Sequence, residues 1–193
     1  MANDALKVAS GRPNPNGAIF RAPLGTALPT DAGTALNATF KGHGYVSSEG
    51  MSRAISRAFT EHNAWGGDMV KKQQGNTGVG VNFSLIESGN ALVLKATYGE
   101  DNVTVTAATA SAGTKIAVAF GAEELPIECY IFELKDGDAV RRIVCPRAQN
   151  TTEDFTQTFA DESLIEYPVE LTLYKDASNK YFYEYTDDGV FSA

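Results

Sequence analysis

The stretch TGVGVNFSLIE, residues 77–87, alternates with a period of two. Val79, Val81, Phe83 and Leu85 fall on one side, while Gly78, Gly80, Asn82, Ser84 and Ile86 fall on the other. Such a strand has a core side and a side of close approach, because glycine weakens a strand and is kept where something packs tightly. Upstream, DMVKKQQ at 68–74 runs into Gly75-Asn76, a turn signal, so the expectation is a hairpin over 68–87 closed at that dipeptide. Residues 52–61 alternate as well, with Ala54, Ser56, Ala58 and Thr60 against Arg53, Ile55, Arg57, Phe59 and Glu61. Neither side is cleanly apolar, the pattern of a strand bordered by solvent and by a polar partner.

Outward from this centre the chain reads mostly as strands. Residues 1–16 are polar apart from Leu6 and Val8, are punctuated by Gly11, Pro13 and Pro15, and predict an arm outside the core that orders only against a neighbour. GAIFRAPL at 17–24 is a short strand that Pro23 confines to an edge or to its own end. PTDAGTALN at 29–37 is a linker, and FKGHGYVS is strand-like. GNALVLKATY at 89–98 changes period to that of a short helix, with Gly89-Asn90 as its start and Gly99 as its stop. NVTVTAA, KIAVAFG, PIECYIFELKD and GDAVRRIVCPR resume the strand pattern, and Asp136-Gly137-Asp138 joins the last two as a hairpin. NTTEDFTQTFA at 150–160 reads as a polar strand, and the aromatic run at 181–185 as the final one. The fold class is mainly β, an antiparallel sandwich or small partly closed barrel with one flanking helix, in a single domain over 17–193.

Composition excludes several functions. The 193 residues carry a net charge of −8, which disfavours a dedicated duplex-DNA binder. The charge is uneven: residues 1–80 hold eight Lys and Arg against five Asp and Glu, or +3, and the remainder holds −11. One part of the chain can therefore meet an oppositely charged part of another copy. No apolar run reaches membrane-spanning length, and the opening MANDALKVASGR has no signal-peptide core. Cys129 and Cys145 sit in apolar alternating runs, as two buried thiols or as a disulfide between adjacent strands. With His43 and His62 far away, they are too few for zinc. GxxxxGK[ST], GxSxG and HExxH are all absent, so no enzyme, cofactor or metal site is expected.

The ordered set LPTD…LNATFKGHGYVSSEGMSR, AWGGDMVKKQQ and VNFSLIESGNALVLKATYGEDNVT resembles the major tail tube proteins of long-tailed, siphovirus-type bacteriophages, particularly those of actinobacteria, over residues 28–185. The resemblance implies a self-assembling structural protein. Six copies form a ring, and rings stack into a hollow tube through which genomic DNA passes and in which the tape measure protein lies. Tail terminator and distal tail proteins sit at the ends, and assembly takes place in the host cytoplasm. On that reading Arg53, Arg57, Trp65, Asp68, Lys71, Lys72, Gly78 and Gly80 make subunit and ring contacts, and Glu87, Glu123, Glu124 and Asp154 are candidates for an acidic lumen. The alternative is a carbohydrate-binding β-sandwich that presents Tyr181, Phe182, Tyr183 and Tyr185 to a sugar.

Overall fold

The computed structural model describes residue 4 and residues 7–190. Leu6, one of the two apolar residues of the expected arm, lies outside the described residues. The strands are β1 (Ile19–Pro23), β2 (Lys41–Gly42), β3 (Val46–Asn63) and β4 (Met69–Leu85), followed by the helix α1 (Ala91–Tyr98). After it come β5 (Val103–Thr106), β6 (Lys115–Val118), β7 (Ile127–Asp136), β8 (Ala139–Asn150), β9 (Tyr167–Leu173) and β10 (Tyr183–Asp187). One antiparallel sheet runs β2-β1-β7-β8-β9-β4-β3 with β10 also on β8, and β5-β6 form a separate pair.

β8 is where the sheet divides. β7 occupies one of its edges, while the other is shared by β10 at residues 140–144 and β9 at residues 148–150. Pro146 lies between the two, where its missing N–H costs no ladder bond. The β9-β4 limb then folds over β1-β7-β8. Val81, Phe83 and Leu85 of β4 and Val169, Leu171 and Leu173 of β9 share one core cluster with Ile19, Tyr130, Phe132 and Ile143. Phe83 and Phe132 meet edge to face across it, centroids 5.8 Å apart. The alternation read in residues 77–87 is the alternation that builds this core.

β7 is buried on both faces. Tyr130 and Phe132 point into the main cluster, and Cys129 and Ile131 into a second one with Ala22, Phe40 and Val144. The cysteines are free thiols on opposite faces of the sheet, Cys129 in the second cluster and Cys145 in the first, so no disulfide joins them. Burial pushes the Cys145 thiol up to about 12.

Two buried arginines tie the irregular segments down. Arg21 bonds Glu128 at 2.8 Å and Glu100 at 2.7 Å. Arg142 bonds Glu133 at 2.6 Å and also donates to the carbonyls of Asp31 and Thr34, which anchors the linker at 29–37. The helix is capped as its sequence predicts: Asn90 accepts from the Leu92 amide, and the Gly99 amide donates to Lys95.

Two expectations are corrected. Gly75-Asn76 is not a turn, since β4 runs straight through it; opposite Ala58 the register slips between Arg57↔Thr77 and Phe59↔Gln74, which makes the dipeptide a bulge. Residues 150–160 form no strand beyond Asn150, because no strand edge pairs with them. Within the expected arm, residues 10–14 lie along the end of β7: Pro13 bridges Leu134, the Asn14 amide donates to the Glu133 carbonyl, the Lys135 amide donates to the Arg12 carbonyl, and the Ser10 amide bonds Asp136 at 2.7 Å.

Candidate assembly surface

β3 and β4 pair along nearly their whole length and turn at Ala64-Trp65-Gly66-Gly67. Gly66 and Gly67 both have positive φ, 126° and 100°, which is why the turn sits there. The Ala64 amide donates to the Asp68 carbonyl at 2.8 Å and closes it. Only residues 80–85 of β4 pair with β9, so beyond Gly80 no third strand among the described residues pairs with the hairpin. Every residue from 54 to 76 is exposed. At strand rise this is roughly 30 Å of two-stranded ribbon bare on both faces. It carries Ile55, Phe59, Trp65, Met69 and Val70, all exposed, with Trp65 wholly so.

All eight expected contact residues lie on this hairpin, but they are not equivalent. Arg53 is committed within its own chain: it bonds Glu184 at 2.9 Å and lies 4.2 Å over the Phe182 ring. Lys72 bonds Glu61 across the strands at 2.9 Å and reaches over Phe59. Arg57, Asp68 and Lys71 are exposed and have no ion pair among the described residues. The glycine face is approached from within the chain. A Cβ on Gly80 would stand 3.4 Å from the Leu171 carbonyl, and one on Gly78 would stand 2.8 Å from Ser56 Oγ.

The four carboxylates also divide. Glu87 accepts from the Tyr45 amide at 2.8 Å and from Asn90 Nδ2 at 2.9 Å, and Glu124 accepts from Gln149 at 2.9 Å. Glu123 and Asp154 are exposed without ion pairs among the described residues. Gly44 makes room for the Glu87 carboxylate: its φ is 72°, and an added Cβ would fall 2.0 Å from Glu87 Cδ. Gly44→Ala therefore combines backbone strain with the loss of two carboxylate hydrogen bonds. The expected cost is about 2–4 kcal/mol, read as a lower midpoint in urea unfolding.

The aromatic run at 181–185 presents no open platform. Tyr181 donates to the Thr77 carbonyl, Phe182 lies under Arg53, Tyr183 donates to Asp176, and the Tyr183 and Tyr185 rings stack 6.4 Å apart. All four are half-buried against the cores.

One surface escaped the sequence reading. Residues 151–166 form an irregular segment held by a few polar bonds, among them Tyr98 Oη to Gln157 at 2.9 Å. It carries five carboxylates, no Lys or Arg, and exposed Phe155, Phe159 and Leu164. Its charge imbalance was the signal available in the sequence; Phe155 and Phe159 are four residues apart, a spacing that one face of a strand and one face of a helix share, so it does not tell either from an irregular segment.

The described residues gather no group of His, Cys, Asp or Glu able to hold a metal ion, and five of the exposed large apolar side chains lie on the β3–β4 ribbon. No curated protein matches the chain. Residues 2–192 match the family model described as phage tail tube protein. A mainly antiparallel β protein with one short helix and a long bare hairpin, matched over nearly its whole length, belongs to the phage tail tube protein family, non-enzymatic structural components of the phage tail.

Proposed function

We propose that the chain assembles into six-membered rings that stack helically into the tube of a long-tailed, siphovirus-type phage and so make the conduit for DNA delivery. The observation that carries this reading is the hairpin at 54–76, exposed on both faces. A two-stranded ribbon is marginal in water on its own, and a run of exposed Ile, Phe, Trp, Met and Val is an interaction site in a protein that stays dispersed. β3 adds an 18-residue outer edge at the end of the sheet order, a row of unpaired backbone groups that a neighbouring subunit can extend.

In the assembled tube the tape measure protein and then the genome occupy the lumen, with terminator and distal tail proteins at the ends. The inner surface is net negative, because every phosphate held by Lys or Arg would slow passage. Exposed Glu123 and Asp154 contribute to that lining, whereas Glu87 and Glu124 serve structure in their own chain. The test is negative-stain microscopy and light scattering of the purified chain as concentration rises, with tail initiator proteins added. Rings or tubes of six subunits per turn are the expected result, and a chain that stays monomeric throughout rejects the reading.

A further inference from the structure

We infer that the β3–β4 hairpin of one subunit seats on the acidic, aromatic segment 151–166 of another. The inference rests on the self-assembly reading and names the two surfaces that meet.

The hairpin offers exposed Phe59, Trp65, Met69 and Val70 together with Arg57 and Lys71, which form no ion pair among the described residues. The segment offers exposed Phe155, Phe159 and Leu164 and the exposed carboxylates Glu153, Asp161 and Glu162, which form no ion pair among the described residues. Beside it Phe120, 76% exposed, packs edge to face on Tyr98, which also contacts Phe155. Trp65 is wholly exposed and Phe159 and Phe120 are largely so, and a large aromatic side chain contributes on the order of 150–250 Å² when fully covered, so each patch supplies a substantial part of the roughly 800 Å² per partner of a stable interface.

Charge decides the pairing. Residues 54–76 carry three Lys and Arg against two Asp and Glu, and residues 151–166 carry five acidic residues and no base. Segment on segment would set five carboxylates against five, and hairpin on hairpin would set Arg57 and Lys71 against a copy of the same net positive sign whose one carboxylate without an ion pair among the described residues is Asp68. Of these three arrangements, hairpin on segment joins patches of opposite net charge. Two different patches of one chain meeting in this way form a heterologous contact, which repeats around a ring or along a stack instead of closing as a dimer.

The experiment uses two full-length variants. In one, Arg57→Glu and Lys71→Glu reverse the hairpin; in the other, Glu153→Lys, Asp161→Lys and Glu162→Lys reverse the segment. Circular dichroism melts report folding, and all five side chains are exposed, so midpoints within a few degrees of the parent are expected. Each variant alone sets like charge against like at every contact, and its half-assembly concentration rises about tenfold or more. An equimolar mixture restores opposite charges at every hairpin–segment contact and assembles within about threefold of the parent, with the variants alternating. A mixture no better than either variant alone, or a variant that assembles like the parent, overturns the inference while leaving self-assembly intact. A parent chain that never assembles overturns both.

Discussion

A chain in which residues 58–76 are replaced by Asn-Gly folds with an unfolding free energy within about 1 kcal/mol of the parent and forms no rings or tubes at concentrations where the parent does. The excision is set by the register. Arg57 and Thr77 are direct partners, so a two-residue loop between them closes the shortened hairpin with the twist its strands already have. Nothing removed belongs to either core cluster; the deleted apolar side chains, Phe59, Trp65, Met69 and Val70, are exposed. The β4 residues that do build the core, Val79 to Leu85, keep their pairing to β9 from Gly80 onward. On the proposed reading, stability and assembly are carried by separate lengths of the same two strands. Calorimetry and light scattering on one preparation measure both; a trimmed chain that still builds tubes removes the hairpin from the assembly contacts, and one that fails to melt cooperatively shows that the ribbon supports the fold.

That separation also explains which parts of the molecule were legible beforehand. Strands whose two faces meet different surroundings write a period of two into the sequence, and residues 77–85 did so because β4 has the core on one side and small side chains on the other. The hairpin's closure was misplaced because Gly75-Asn76 suits a bulge as well as a turn; what decides is that Gly66 and Gly67 take successive positive φ values while β3 and β4 are long enough to pair past the bulge. Residues 150–160 looked like a strand only while a partner edge was assumed. The ion pairs were out of reach for another reason. Arg21 finds Glu128 at a separation of 107 residues, and Arg53 finds Glu184 at 131, so only the topology says which charge answers which. All eight contact candidates fall on one hairpin, yet Arg53 and Lys72 are already paired within the chain, and Arg57 and Lys71 form no ion pair among the described residues.

Acid destabilises this protein through His43, beyond what its carboxylates contribute. His43 is 1% exposed, and its Nδ1 lies 3.0 Å from the Lys41 carbonyl, which can only accept, so Nδ1 carries the hydrogen. Nε2 is buried without a hydrogen-bond partner among the described residues, and a proton placed there would meet no acceptor among them. Burial, reinforced by the nearby Arg21 charge and opposed by the Lys41 carbonyl and Glu100, lowers the imidazole from 6.5 to about 4. Above pH 6.5 the ring is neutral folded or unfolded and pH has no leverage through it. Between pH 6.5 and 4 the unfolded chain takes up a proton that the folded chain refuses, so stability is lost as pH falls, by roughly 3 kcal/mol across the window. His43→Leu removes that proton and leaves the Lys41 carbonyl without its donor, at a cost of about 1–3 kcal/mol that does not change with pH. Carboxylate titrations common to both chains cancel in the difference between them. The parent is therefore the more stable of the two at pH 7, and its advantage shrinks by roughly 3 kcal/mol by pH 4, which brings the curves together or makes them cross. Urea unfolding of both chains from pH 7.5 to 4 measures the difference directly, and a gap that stays constant with pH would show that His43 gains its proton in the folded protein as readily as in the unfolded one.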